Sequence, residues 1–138
     1  MERLLAILSE KTKTKVNTTE FLTIHERIDK PWGYEIIWAK TKDYVGKLLF
    51  VRAKESLSLQ FHKVKEETLY IESGDCIIET GKDETRLEAF AFSSGGVFHV
   101  PPGRLHRIKA VTDCRIFEVS TPHLNDVVRL KDNYGRRS

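Results

Sequence analysis

Four polar side chains in two short segments of the sequence are of types that bind metal ions. Gln60 and His62 alternate with apolar residues, so in a strand they would share one face. Glu67 opens the next apolar run, and His106 follows a proline-rich turn much later in the chain. Two imidazoles, a carboxylate and an amide oxygen form a donor set that suits zinc, iron, manganese or nickel. We therefore predict one divalent metal ion on these four residues, with zinc favoured. The alternative is that they are ordinary polar strand residues joined by hydrogen bonds.

The segments that must position these residues are short, alternating and rich in β-branched and aromatic residues. Gly and Pro interrupt the chain from residue 30 onward at a spacing of about 8–12 residues, which is typical of a β-sandwich or a small barrel. Closure into a barrel would also remove exposed sheet edges. The predicted strands are 34–40, 47–53, 57–62, 68–72, 76–80, 86–90, 97–100, 105–111 and 114–120, while 124–129 fits either a strand or a short helix. The sequence thus predicts an all-β fold.

The N-terminal part of the chain follows a different pattern. Aliphatic residues between positions 4 and 8 have helical spacing, and a polar stretch follows over 11–19. Two interpretations stay open, a frayed helix with a linker or an arm that packs on a partner subunit. The predicted organisation is an N-terminal arm and linker over 1–29 and one β-domain over 30–138.

The overall composition excludes several classes of protein. The chain has 138 residues, of which 40% are hydrophobic and 31% charged, as expected for one globular domain. A net charge of +3 without a recognised motif argues against a nucleic-acid partner. No apolar run reaches the roughly 20 residues of a membrane helix, and the N-terminus lacks a secretory signal pattern. Cys76 and Cys114 lie in apolar alternating runs, so we expect buried free thiols and a cytoplasmic protein.

The two segments that carry the polar residues resemble the two motifs of the cupin superfamily. The first cupin motif is Gly-x5-His-x-His-x(3,4)-Glu-x6-Gly, and here Gln60-x-His62-x4-Glu67-x6-Gly74 has glutamine at the first histidine. The second motif, Gly-x5-Pro-x-Gly-x2-His, matches residues 95–106, and alanine stands at its final asparagine position. The resemblance implies a cupin double-stranded β-barrel, or jelly roll, here with a short N-terminal helical arm.

Within this superfamily the chain is similar to the mannose-6-phosphate isomerase domain of bifunctional bacterial mannose-1-phosphate guanylyltransferases. The similarity covers about 30–136, and its clearest segments are 30–33, 57–62, 102–107, 117–119 and 126–136. Phosphomannose isomerases also carry a Gln-x-His pair, so the resemblance implies that Gln60 is a native ligand. It further implies a metal-assisted aldose–ketose isomerase that binds a sugar or sugar phosphate. The family habit and the apolar N-terminal arm favour a homodimer.

The chain departs from that family close to the expected ligands. The histidine-rich run after His62 is Lys-Val-Lys at 63–65, and the His-Trp pair after Glu67 is Thr-Leu at 68–69. The guanylyltransferase domain is absent, so we expect no nucleotidyl transfer.

The sequence offers several candidates for the remaining roles in the site. A base must move a proton between adjacent carbons, and cationic side chains would hold a phosphate or carboxylate. The candidates for catalysis are Glu118, His99 and Lys65, and those for substrate binding are Arg104, Arg52 and Lys63. A solvated basic rim is the alternative for the three binding residues.

Two other functions stay open at this point. A small barrel with one metal would also serve as a non-catalytic module that binds a sugar or a small carboxylate. An iron-dependent dioxygenase is less favoured, because Gln60 replaces a histidine of the more familiar three-His-one-Glu set.

Overall fold

A computed structural model describes residues 25–137 as two antiparallel β-sheets that enclose one core. The six-stranded sheet has the order β1-β2-β3-β10-β5-β8, and the five-stranded sheet has the order β11-β4-β9-β6-β7. The strands are β1 (Glu26–Lys30), β2 (Gly33–Lys40), β3 (Val45–Val51), β4 (Leu59–Phe61), β5 (Glu67–Ser73), β6 (Cys76–Gly81), β7 (Glu88–Phe92), β8 (Val97–Val100), β9 (Leu105–Ala110), β10 (Cys114–Ser120) and β11 (Val128–Lys131). Over this range we find no helix suited to crossing a membrane.

The structure confirms the predicted all-β fold. All nine predicted strands form, with their ends within two residues of the expected positions. Two further strands are present. β11 includes 128–129 of the stretch 124–129, for which a strand or a short helix was open, whereas 124–127 form neither. β1 lies in the stretch predicted to be linker, because a polar edge strand held by backbone pairing to β2 gives no apolar alternation. The predicted N-terminal helical arm lies outside the described residues.

The core is formed by alternate residues of the strands from both sheets. Leu49, Leu69 and Ile116 come from the six-stranded sheet, and Ile78 and Ile108 from the five-stranded sheet. Their burial provides about 1.5–3 kcal/mol each, which holds the two sheets together.

The two cysteines lie in this same core. Cys76 and Cys114 are both buried and free, as the apolar runs predicted.

Two turns fix the strands that carry the candidate ligands. Gly74 has φ +90°, and a Cβ there would lie 2.1 Å from the Asp113 carbonyl oxygen, so the turn after β5 requires glycine. The N–H of Gly103, in the proline-rich turn before β9, donates to the His62 carbonyl at 2.7 Å. This bond ties the start of β9 to the end of β4.

Candidate metal centre

His62, Glu67 and His106 meet in the interior between the two sheets, each carried by a different strand region. His62 follows β4, Glu67 begins β5, and His106 is in β9. The three residues are only 2%, 4% and 2% exposed. His106 Nε2 and His62 Nε2 lie 3.1 Å and 3.5 Å from the same oxygen, Glu67 Oε1. With their ligand atoms within 4.8 Å of one another, the three side chains can contact a single ion.

Backbone carbonyl groups fix both histidine rings through their other nitrogen. The Nδ1–H of His62 donates to the Asp126 carbonyl at 2.5 Å, and that of His106 to the Arg104 carbonyl at 3.0 Å. A carbonyl oxygen only accepts, so Nδ1 carries the proton and Nε2 of the neutral ring presents a lone pair. Both Nε2 atoms are buried and have no hydrogen-bond donor. Two lone pairs that face a carboxylate oxygen match the needs of a divalent cation, so these residues fit a metal ion.

The charge state of Glu67 also fits a cation site. Burial opposes its ionisation, but His106 and His62, which donate from Nε2 to this carboxylate when their rings are protonated, and the Lys65 ammonium hold the pKa of Glu67 well below its usual range. The carboxylate is therefore ionised at neutral pH and ready to accept a metal.

Gln60 lies beside this group of residues in the barrel interior. It pairs with His106 across β4 and β9, and it lines the same cavity as His62. Its Oε1 accepts a hydrogen bond from Ser58 Oγ at 2.7 Å. The position suits a fourth ligand, and that role stays a prediction.

A buried ion-pair network continues from Glu67 into the cavity. Lys65 Nζ lies 2.9 Å from Glu67 Oε2 and 3.1 Å from Glu118 Oε2. Burial acts against the Lys65 ammonium, but Glu118 and Glu67 together raise its pKa above the usual value. Burial and the charge of Glu67 raise the pKa of Glu118, against Lys65 and Lys47. The cavity thus holds a permanently charged ammonium beside a carboxyl group whose proton affinity is increased.

The turn between β4 and β5 is held by Asp126 of the segment that precedes β11. Its carboxylate accepts the backbone N–H groups of Lys63, Val64 and Lys65 at 3.0, 2.7 and 2.8 Å. These bonds, led by that from Lys65, lower the pKa of Asp126 to about 2. One residue therefore anchors the turn through its carboxylate and His62 through its carbonyl.

A cavity of about 100 Å³ is bordered by His62 and Gln60 and is lined mainly by charged side chains. Its cationic residues are Lys30, Lys47, Lys65, Arg129 and Arg136, and its acidic residues are Glu35, Glu118 and Asp126. Lys47 Nζ lies 3.5 Å from both carboxylate oxygens of Glu35 in a buried pair. Lys30 also pairs with Glu35, so two ammonium groups share one carboxylate, and this wall of the cavity suits an anionic ligand.

The structure places four of the predicted catalytic and binding residues away from this cavity. His99 is exposed on β8 and pairs with Glu66 at 2.5 Å. Arg52 donates to the Pro31 carbonyl at 2.5 Å, and Lys63 is exposed. Arg104 donates to Thr80 Oγ1 at 2.9 Å and lines a separate shallow depression. Of the candidates for catalysis and binding, only Glu118 and Lys65 line the cavity.

Sequence reasoning missed the inward-facing charges of β2 and β3. Glu35 and Lys47 are both 7% exposed and point into the barrel. Both faces of these strands carry large apolar residues, so alternation did not distinguish inside from outside. The available signal was the alternation in β3, which places Lys47 on the same face as the apolar residues Leu49 and Val51.

The class of the fold is defined by its similarity to solved structures. KdgF from Halomonas sp. has a TM-score of 0.61 at 20% identity, covering 71% of this chain and 88% of that one. CapF with the inhibitor 3-isopropenyl-tropolone gives 0.66 at 18% identity, covering 83% and 36%. Bacillus subtilis oxalate decarboxylase, a protein with Mn(II) centres, gives 0.66 at 20% identity, covering 76% and 30%. These structures are cupins, and the fold of this chain is a cupin barrel.

The sequence match then identifies the family within that class. Residues 17–132 match the family described as mannose-6-phosphate isomerase C-terminal, and the chain belongs to this family. A curated relative is the xanthan biosynthesis protein XanB of Xanthomonas campestris pv. campestris, 28% identical over 120 residues. The match covers 83% of this chain and 24% of XanB, so the chain spans about a quarter of that relative's length.

Proposed function

We propose that this chain is a metal-dependent isomerase that interconverts an aldose phosphate and a ketose phosphate, with mannose 6-phosphate as the first candidate. The observation that carries the proposal is a buried donor set of two histidines and a carboxylate beside a cavity rich in cations. Family membership supports the same substrate class. The free buried thiols support a reducing compartment, the cytoplasm.

His62, Glu67 and His106, with Gln60 as the fourth candidate, would hold the metal, with zinc as the first choice. When bound, a divalent ion at this position supplies Lewis acidity toward the carbonyl and hydroxyl oxygens of a sugar. The Asp126 and Arg104 carbonyls hold the two rings in the tautomer that presents Nε2.

Glu118 is the side chain that we assign to proton transfer. Its raised pKa brings the carboxyl group nearer to neutral pH, where a group that both takes and returns a proton works best. The Glu118 carboxylate would take the proton from one sugar carbon and return it to the next. Lys65 stays protonated, and it keeps Glu67 as a partner when Glu118 is neutral.

Cationic residues of the cavity wall would bind the phosphate. The side chains of Lys30 and Arg136 are 25% and 22% exposed, so each can contact a ligand that enters from solvent in addition to its carboxylate partner, Glu35 or Asp132. Buried Lys47 adds a third positive charge. Charge-assisted hydrogen bonds from such groups are the usual means of holding a phosphate.

The test is exchange of the substrate C2 proton in deuterated water, followed by NMR with zinc-loaded protein and mannose 6-phosphate. We expect deuterium incorporation and formation of the ketose phosphate. Glu118→Gln should lower the exchange rate by about 10²–10⁴-fold. The matched control is Glu72→Gln, an exposed outward-facing glutamate of β5, which should leave the rate unchanged.

Two outcomes of this experiment would contradict the proposal. Thermal stabilisation by the sugar phosphate without any exchange would identify a binding module. Oxygen uptake that requires ferrous iron, again without exchange, would identify a dioxygenase.

A further inference from the structure

The proline-rich turn before β9 borders a depression at the surface that contains two cationic side chains. The depression is lined by Lys82, Pro101, Pro102, Gly103 and Arg104, and its volume is about 290 Å³. It shares no lining residue with the interior cavity, so the two are separate sites. We refer to it as the turn depression.

The two cations of the turn depression have no acidic partner among residues 25–137. Neither Lys82 nor Arg104 forms an ion pair over this range, and no carboxylate lines the depression. Asp83 follows Lys82 in the chain, but its carboxylate accepts the backbone N–H and the hydroxyl of Thr85 at 2.9 and 2.5 Å. Two such cations in one depression favour an anionic ligand.

A buried threonine orients the guanidinium group of Arg104. The Nε–H of Arg104 donates to Thr80 Oγ1 at 2.9 Å, and the Thr80 hydroxyl donates its own hydrogen to the Leu105 carbonyl at 2.8 Å. Thr80 is 2% exposed, so this hydroxyl is shielded from solvent. The hydrogen bonds among the described residues leave Nη1 and Nη2 of Arg104 without an acceptor. These two nitrogens therefore form an oriented fork of the kind that binds a phosphate or a carboxylate.

The remaining features of the turn depression favour an organic phosphate. A carboxylate has two oxygens, which the Arg104 fork occupies, whereas a phosphate monoester has a third that can accept from the Lys82 ammonium. Pro101 and Pro102 are exposed and give the depression an apolar wall. Its volume is close to the lower end of the range for small-molecule sites, about 300 Å³, which leaves space for a carbon group beside the phosphate.

We propose that the turn depression binds a small organic phosphate through Arg104 and Lys82, and that this molecule is an effector of metal binding. The turn contacts both histidines of the candidate metal centre. The Gly103 N–H donates to the His62 carbonyl at 2.7 Å, and the Arg104 carbonyl accepts the His106 Nδ1–H at 3.0 Å. A ligand that stabilises the turn also stabilises these two contacts, so it should increase the affinity for zinc. The effector role rests on the proposed metal centre, whereas the anion site does not.

The anion site is tested by NMR, in a titration of the metal-free full chain with phenyl phosphate. We expect the backbone amides of Gly103 and Arg104 to shift, and inorganic phosphate to bind more weakly because it has no group to contact the proline wall. Arg104→Gln should raise the Kd for phenyl phosphate by about 10–100-fold and Lys82→Gln by about 5-fold. The matched control is Arg86→Gln, at an exposed arginine of the loop before β7, which should leave the Kd unchanged.

Three outcomes of the titration would contradict the anion site. A Kd that is the same in wild type, Arg104→Gln and Lys82→Gln would overturn it. Lys82 is exposed and makes no described side-chain contact, so its variant should fold as the wild type does. Binding that Lys30→Gln removes and Arg104→Gln preserves would place the phosphate in the interior cavity instead. Equal affinity for the two phosphates would contradict an organic ligand.

Competition with a coloured zinc chelator tests the effector role. Phenyl phosphate should lower the Kd for zinc by about 5-fold or more in wild type and leave it unchanged in Lys82→Gln. The variant also controls for zinc that phenyl phosphate binds in solution. An unchanged zinc Kd in wild type would overturn the effector role. A wild type that binds no zinc would contradict the metal centre and the effector role together, while the amide shifts still decide the anion site.

Discussion

Lys65 is the residue on which the charge balance of the barrel interior depends. Its ammonium contacts both Glu67 and Glu118, and all three side chains are at least nine-tenths buried. The negative charges of the two carboxylates repel each other, and the Lys65 ammonium lies between them. Removal of a single partner from a buried ion pair leaves an uncompensated charge in a medium of low dielectric constant.

Lys65→Met should therefore lower the free energy of unfolding of the metal-free protein by about 3 kcal/mol. Urea denaturation measures this loss. Zinc should recover more stability in the variant than in the wild type, because the ion offsets the charge of Glu67. The matched control is Lys63→Met, an exposed lysine of the same turn, which should change stability by less than about 0.5 kcal/mol. A loss in Lys65→Met as small as that of the control would show that the buried network is not coupled.

The two thiols should be unreactive in the folded protein. Burial, with a contribution from Cys114, raises the pKa of Cys76 to about 12, and burial also raises the pKa of Cys114. Since the thiolate is the nucleophile, iodoacetamide at pH 8 should label neither residue until urea unfolds the chain. Mass spectrometry counts the added groups, and rapid labelling of the native protein would contradict the described packing.

The C-terminal segment after β11 is closed by an ion pair within itself and is fastened to the barrel by two other side chains. Arg136 donates to the Asp132 carboxylate through its backbone N–H, Nε and Nη2 at 2.6, 3.0 and 2.8 Å. Tyr134 donates its hydroxyl to the Glu55 carboxylate, and Asn133 Nδ2 donates to Ser56 Oγ at 2.9 Å. Because Arg136 lines the cavity, this fastening also shapes the proposed phosphate site.

Acid should weaken the ion pair that closes this segment. The hydrogen bonds from Arg136 lower the pKa of Asp132, although burial opposes ionisation. A lowered pKa in the folded state adds stability that is present above the unfolded value of about 3.9 and is lost as the pH falls below it. The stability difference between wild type and Asp132→Asn should therefore shrink as the pH is lowered from 7 to 3 in urea titrations. Asp43→Asn, at an exposed aspartate, should show no such trend, and a difference that is constant with pH would contradict the assignment.

The strands show which parts of the fold could be predicted and which could not. Alternating β-branched and aromatic residues located nine strands, because that pattern is a local property of the chain. β1 was missed, since backbone pairing to β2 holds it without an apolar face. Likewise, the two motifs predicted that His62 and His106 lie together in the barrel. The positions of His99 and Arg104 could not be predicted, because they depend on which face of a strand or turn points inward. That choice is made by packing between the sheets.

The candidate metal centre draws its residues from both sheets of the barrel. His106 lies in β9 of the five-stranded sheet and Glu67 in β5 of the six-stranded sheet, so one ion would bridge them. An ion that binds only the folded chain stabilises it by about 2.7 kcal/mol at 100 times its Kd.

Zinc should therefore raise Tm, and a chelator should reverse the increase. His106→Ala should abolish the response, whereas His99→Ala, at an exposed histidine outside the site, should retain it. Differential scanning fluorimetry with metal analysis by plasma mass spectrometry gives both readings. An equal zinc response in the two variants would place the ion elsewhere.

The contacts of Asp126 affect how fast the protein binds and releases its ligands. Its carbonyl holds the His62 ring, its carboxylate holds the turn at 63–65, and the residue itself borders the cavity. Any opening of the segment before β11 that widens the entrance must also release the ring of His62, a proposed metal ligand. Ligand entry and metal loss should consequently share one opening event, so that an occupied cavity slows the dissociation of zinc.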